Sequence, residues 1–121
     1  MAGSSSVVAL SGVASGLVTV SAGTQLTGLQ LSSGVNVIAT VTAANDGVTL
    51  PVGSLGMAPV FVRNQAAANA LTVFPPVGGT LNGGVVNAGS ALAAVTGKVF
   101  YPIDVTGLNY VSIEPVGPSG P

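Results

Sequence analysis

The stretch Val35-Asn36-Val37-Ile38-Ala39-Thr40-Val41-Thr42-Ala43-Ala44-Asn45-Asp46-Gly47-Val48-Thr49-Leu50-Pro51 decides the fold class. Its first half is built from β-branched and small residues, which suit a pleated strand better than a helix. Val35, Val37, Ala39 and Val41 alternate with Asn36, Thr40 and Thr42, a period of two that predicts one apolar face. Ile38 breaks the polar face, which predicts contact on both sides. Asn45-Asp46-Gly47 supplies residues that tolerate positive φ, so a solvated turn is expected there. Val48-Thr49-Leu50-Pro51 reads as the next strand.

The same pattern runs outward in both directions. Strands are predicted at 7–10, 16–21, 26–31, 35–42, 48–51, 59–64, 71–74, 80–81, 85–87, 98–103 and 110–114. The 18 Gly and 8 Pro are spread along the chain as punctuation. Pro75-Pro76 closes the strand before it, and Asn82-Gly83-Gly84 marks another turn. Gln65-Ala66-Ala67-Ala68-Asn69-Ala70 is too short for a stable helix and predicts a tight turn. Residues 91–95 fit one helical turn or a strand. The expected fold is all-β, a compact β-sandwich or barrel of about 8–11 short strands. One domain is expected over 7–114, with an extended arm at 1–6 and a Pro/Gly tail at 115–121. Ser11-Gly12-Val13 leading to Leu17-Val18-Thr19-Val20-Ser21-Ala22 echoes Ser33-Gly34-Val35 leading to Ile38-Ala39-Thr40-Val41-Thr42-Ala43. Two β units of one pattern produce such an echo, and so does low-complexity chance.

Composition narrows the function. Only 4% of the 121 residues are charged, namely Arg63, Lys98, Asp46, Asp104 and Glu114. Ordinary domains carry about 25%. A net charge of −1 offers no footprint for nucleic acid or an anionic membrane. No uninterrupted apolar run is long enough to span a bilayer as a helix. The start of the chain lacks the basic region of a secretory signal, so a soluble chain made in the cytoplasm is expected. A surface with so few charges has little colloidal protection, which favours a chain covered by an assembly.

The absence of both His and Cys removes the commonest general base, thiol nucleophile and metal ligands, and the chain reads as a non-enzyme. Asp46, Asp104 and Glu114 are the only carboxylates, read as turn and strand-end residues and not as an acid–base pair. Thr96-Gly97-Lys98 lacks the following Ser or Thr of a phosphate loop, because Val99 stands there, and it reads as a turn into a strand. Gly78-Gly79-Thr80-Leu81-Asn82-Gly83-Gly84 reads as a tight hairpin in preference to an anion nest. Arg63 is expected at a subunit interface or in an ion pair. No cofactor, metal or small-molecule substrate is expected.

Four segments resemble a known group. They are Val41-Thr42-Ala43-Ala44-Asn45-Asp46-Gly47-Val48-Thr49-Leu50-Pro51, Val60-Phe61-Val62-Arg63-Asn64-Gln65, Asn69-Ala70-Leu71-Thr72-Val73-Phe74-Pro75-Pro76-Val77-Gly78-Gly79-Thr80-Leu81-Asn82-Gly83 and Asn109-Tyr110-Val111-Ser112-Ile113. They are similar to a small β domain of tailed-bacteriophage and prophage virion proteins. Ser90-Ala91-Leu92-Ala93-Ala94 and Val99-Phe100 match its later part. Tyr110 stands where that group usually has Trp-Tyr, and Gln65-Ala66-Ala67 replaces its Gly after Asn64. The resemblance implies a capsid decoration (cement) protein, a homotrimer bound to the major capsid protein on the outer surface of the virion. The arms are then the candidate capsid contacts, at Ala2, Gly3, Ser4 and Ser5 and at Pro115, Val116, Gly117 and Pro118. The alternative is a head- or tail-fibre module that binds a host-surface glycan or receptor.

Overall fold

The computed structural model describes residues 13–53 and 57–113. Within them the chain forms strands and no helix: β1 (Val13–Val18), β2 (Leu29–Gln30), β3 (Gly34–Thr40), β4 (Asp46–Thr49), β5 (Val60–Asn64), β6 (Leu71–Phe74), β7 (Ser90–Leu92), β8 (Thr96–Pro102) and β9 (Tyr110–Ile113). The all-β class holds. The predicted strand at 7–10, both candidate arms and Glu114 lie outside the described residues.

The chain alternates between two mixed sheets. Sheet 1 has the order β1-β3-β5-β8-β9 and sheet 2 the order β2-β4-β6-β7, and neither closes into a barrel. The first six strands wind as three coils, each giving one strand to each sheet, so β1, β3 and β5 are parallel, as are β2, β4 and β6. Parallel neighbours need a long crossover. Here each crossover is the strand of the opposite sheet. The winding then reverses: β7 runs antiparallel to β6, β8 to β5 and β9 to β8.

The sequence echo is the first pair of coils. Val13 sits beside Val35 and Leu17 beside Ile38, and the register slips between Ala14 and Leu17. The echo slips by one residue at the same place, across Gly16, whose φ is +69°. Ala22, Asn45 and Asn69 take positive φ where successive coils pass from sheet 1 to sheet 2. Asn does this at little cost, and it is the residue at two of these corners.

One hydrophobic core draws on both sheets. Ile38, Val60, Val62, Phe100 and Tyr110 of sheet 1 and Val48, Leu71, Val73 and Leu92 of sheet 2 belong to one buried cluster. Each such side chain contributes about 1.5–3 kcal/mol by leaving water. The alternation in β3 has the opposite phase to the one expected. Asn36 and Ile38 face the core, while Val35 and Val37 lie half-buried on the outer face. Asn36 is tolerated inside because its amide donates to the Ser32 carbonyl (2.8 Å) and its oxygen accepts the Ser32 amide (3.2 Å). Asn64 of β5 is likewise buried, donating to the Asn69 and Leu92 carbonyls (both 3.1 Å).

Other expectations are corrected by local hydrogen bonds. The strand at 26–31 shrinks to Leu29–Gln30, because Thr24 and Thr27 close a turn whose Gly28 amide reaches the Thr24 carbonyl (2.7 Å). Residues 85–87 form a turn with Val85 and Val86 in solvent. Ser90–Leu92 is the strand form of the ambiguous 91–95 segment. The Gly78–Gly84 segment is not a hairpin. Leu81 makes a single bridge to Tyr110, the Asn82 amide donates to the Tyr110 carbonyl, and the Asn82 side chain exchanges hydrogen bonds with Ser112. That segment covers the outer edge of β9 and so shields an otherwise open sheet edge.

Candidate functional site

The two carboxylates among the described residues, Asp46 and Asp104, do structural work. Asp46 is not a solvated turn residue: it opens β4, is 1% exposed and ties the first two coils together. Its Oδ2 accepts the Thr19 hydroxyl (2.7 Å) and the Ala43 amide (2.8 Å), and its Oδ1 accepts the Ala22 amide (2.9 Å). Thr19 in turn accepts the Thr42 amide (2.8 Å) and receives the Thr42 hydroxyl on its carbonyl (2.9 Å). Burial alone pushes the Asp46 carboxyl up. The bonds from Thr19, Ala43 and Ala22 outweigh it and hold the group below the usual carboxylate range.

Asp104 lies between β8 and β9. Its carboxylate accepts the Thr106 hydroxyl (2.6 Å) and amide (3.1 Å) and the Asn109 amide group (2.7 Å). The hydrogen bonds from Thr106, then Asn109, keep its carboxyl below the ordinary value. Asp46 and Asp104 share no hydrogen-bond partner and do not form an acid–base pair. The Gly-rich segment leaves little room for an anion nest. The amides of Gly78, Gly79, Thr80, Asn82 and Gly84 all donate to oxygens of the chain itself.

Two surface features remain. The first is the outer face of sheet 1. The pairing places Val13, Val35, Phe61, Val99 and Ile113 side by side in one row across all five strands. The rows on either side contain buried Val60, Val62 and Phe100, so this row points away from the core. Val13 and Ile113, at the two ends, are 65% and 55% exposed. Tyr101 and Val111 pair beside the row. The row is apolar throughout and spans roughly 19 Å at a strand spacing of about 4.8 Å.

The second feature is a groove of about 470 Å³ where β7 turns into β8, lined by Arg63, Ala91, Leu92, Ala93, Thr96, Gly97 and Lys98. Both cationic residues of the chain border it, but in adjacent rows of the β5–β8 pair: Lys98 stands against buried Val62 and Arg63 against Gly97. Thr96-Gly97-Lys98 is already strand, and the turn sits one step earlier at Ala94-Val95. Arg63 donates from Nε to Gln65 Oε1 (2.7 Å) and from Nη1 to the Val95 carbonyl (3.2 Å). Those partners are neutral oxygens. The sequence singled out Arg63 but not its partners Gln65 and Val95. The departure of Gln65-Ala66-Ala67 from the familiar pattern was the only local signal.

The chain matches no protein-family model, no curated protein and no solved structure.

Proposed function

We propose that the chain is a structural virion subunit that associates with itself, as a homotrimer, and binds the outer surface of a tailed-phage capsid through the major capsid protein. The reading starts from the sequence resemblance over residues 41–113. The observation that carries it is the apolar row Val13-Val35-Phe61-Val99-Ile113 on a chain with only five charged side chains. Leu26, Val85 and Val105 add exposed apolar surface, at 78%, 75% and 83%. Large contiguous apolar surface marks a face that another protein covers. We read the two sheets as a sandwich whose outer surfaces supply contacts to copies and to the shell. Several weak contacts per trimer then sum to firm attachment by effective concentration, with no chemical step. Residues 2–5 and 115–118 stay as proposed capsid contacts.

The test is imaging of virions from the phage or prophage that encodes the chain, with and without its coding sequence. Outer-shell density present in the first and missing in the second is expected. Identical shells, or density confined to a tail fibre, refute decoration.

A further inference from the structure

We propose that Val8-Ala9-Leu10 docks on the open edge of β2 and runs parallel to it, as the leading half-coil of the winding. These residues lie outside the described ones, and three observations on the described chain point there. The first is an open edge. β2 pairs only with β4 and β1 only with β3, so the first coil ends both sheets. The Leu31 amide donates to the Thr49 carbonyl of β4 (2.9 Å). In a parallel ladder the neighbouring residue turns its N–H and C=O the other way, so Gln30 presents both to the open side. The chain has no charged residue and no proline before Asp46, so neither guards this edge. The second observation is a repeated phrase. Val8-Ala9-Leu10-Ser11-Gly12-Val13 matches Leu29-Gln30-Leu31-Ser32-Ser33-Gly34-Val35 with one serine fewer. Val8 stands 21 residues before Leu29, against 19 from Leu29 to Val48 and 22 from Val13 to Val35. The third is reach. Leu10 is three residues from Val13, a span of at most roughly 10 Å. Val13 sits beside Val35, and the step from Leu31 to Val35 passes through a turn that Asn36 closes on Ser32. A copy of that turn one strand over, about 4.8 Å away, puts Leu10 beside Leu31.

The register follows: Val8 beside Leu29, Ala9 beside Gln30 and Leu10 beside Leu31. Leu31 is 3% exposed and Leu29 packs on the core, so Val8 and Leu10 extend an apolar face and Ala9 shares the exposed face of Gln30. Gln30 then donates to the Val8 carbonyl and accepts the Leu10 amide. The end of a coiled stack needs such a cap, because an uncovered last coil exposes its ladder and its apolar side chains. The docking does not depend on the decoration reading, but its consequence does. A segment parallel to β2 begins at the end of β2 that follows Gly28, so the arm at 2–5 leaves the body beside Leu26, which is 78% exposed. Arm and loop then face one partner surface.

The experiment is NMR on the full ¹³C,¹⁵N-labelled chain. Backbone NOEs in the parallel pattern are expected between Val8–Leu10 and Leu29–Leu31. A chain lacking residues 2–10 should exchange its Gln30 amide about tenfold faster or more, while the Leu31 amide, held by Thr49, changes little. The double variant A9C/Q30C should close an intrachain disulfide on oxidation, since the sequence has no cysteine of its own. NOEs from residues 8–10 to β1, the mark of a hairpin across Ser11-Gly12, overturn the proposal, as does the absence of NOEs to β2. A disulfide that joins two chains overturns it too, because another copy's segment then occupies the edge. The NOEs come from the wild-type chain and need no variant to fold. NOEs to β2 in a chain that decorates no shell leave the docking standing and sink the decoration reading. Decorated shells without those NOEs sink the docking alone.

Discussion

Removing the Asp46 carboxylate should loosen the first coil from the second. Asp46→Ala takes the acceptor from the Thr19 hydroxyl and from the Ala22 and Ala43 amides at once. A hydrogen bond to a charged group is worth about 1.5–3 kcal/mol, and a stranded donor costs about 1–3 kcal/mol. Ala22 is exposed and Ala43 half-buried, so water reaches part of the gap and the lower end applies to those amides. The expected loss is about 3–4 kcal/mol. Asp46→Asn keeps one oxygen for Thr19 and Ala43 and turns its NH₂ toward the Ala22 amide, for a smaller loss of about 1.5–2.5 kcal/mol. Urea unfolding at neutral pH measures both, with an unchanged slope certifying that the unfolded reference is the same. Hydrogen exchange should show β1 and residues 19–30 losing protection while β5 keeps it. An Asp46→Ala loss below about 1 kcal/mol, or equal losses for the two variants, would refute the clamp.

Three further outcomes follow from the same geometry. Gly107→Ala should destabilise far more than Gly83→Ala: both have φ of +71°, but a Cβ at 107 lands on the Gly53 carbonyl and one at 83 meets open space; thermal melts of the two variants rank them. Stability should be flat between about pH 5 and 9 and fall on both sides. On the acid side, the depressed Asp46 and Asp104 carboxyls contribute stability that is present above their unfolded values and lost as pH falls through the folded ones. On the basic side, burial raises the Tyr110 hydroxyl to about 12, so its contribution is whole below the ordinary value of 10.0 and lost as pH rises from there toward 12. Asp46→Asn should flatten the acid limb and Tyr110→Phe the basic one in urea midpoints taken across pH. Val95→Gly should raise stability by about 0.5–1 kcal/mol, because relieving a left-handed β-branched residue outweighs the added chain entropy, and a drop in the melting temperature would contradict the strain.

What the sequence made legible was local. Leu71–Phe74 is flanked by Asn69-Ala70 and stopped by Pro75-Pro76, and its strand appears where expected. β5, β8 and β9 are similarly bounded. The coil winding was much harder to see, because parallel partners lie about 19 to 26 residues apart and turn residues look alike whether they close a hairpin or carry the chain to the other sheet. Only the echo of Val13–Ala22 in Val35–Ala43 carried that information. The phase of β3 was lost for a related reason. Asn36 reads as a solvent residue, yet backbone groups at the start of the strand satisfy it inside. Asp46 reads as turn chemistry, but its partners Thr19 and Ala22 come from the preceding coil. Arg63 stood out by rarity alone, and its place against Gly97 required the β5–β8 pairing.

The central claim is that copies of the chain cover one another's uncharged surface. Sedimentation equilibrium of the purified protein at micromolar concentration tests it most directly. The account predicts a mass of three times 11.5 kDa, shifted toward the monomer by Phe61→Glu in the middle of the apolar row. A wild-type chain that stays at 11.5 kDa across the concentration range would contradict it.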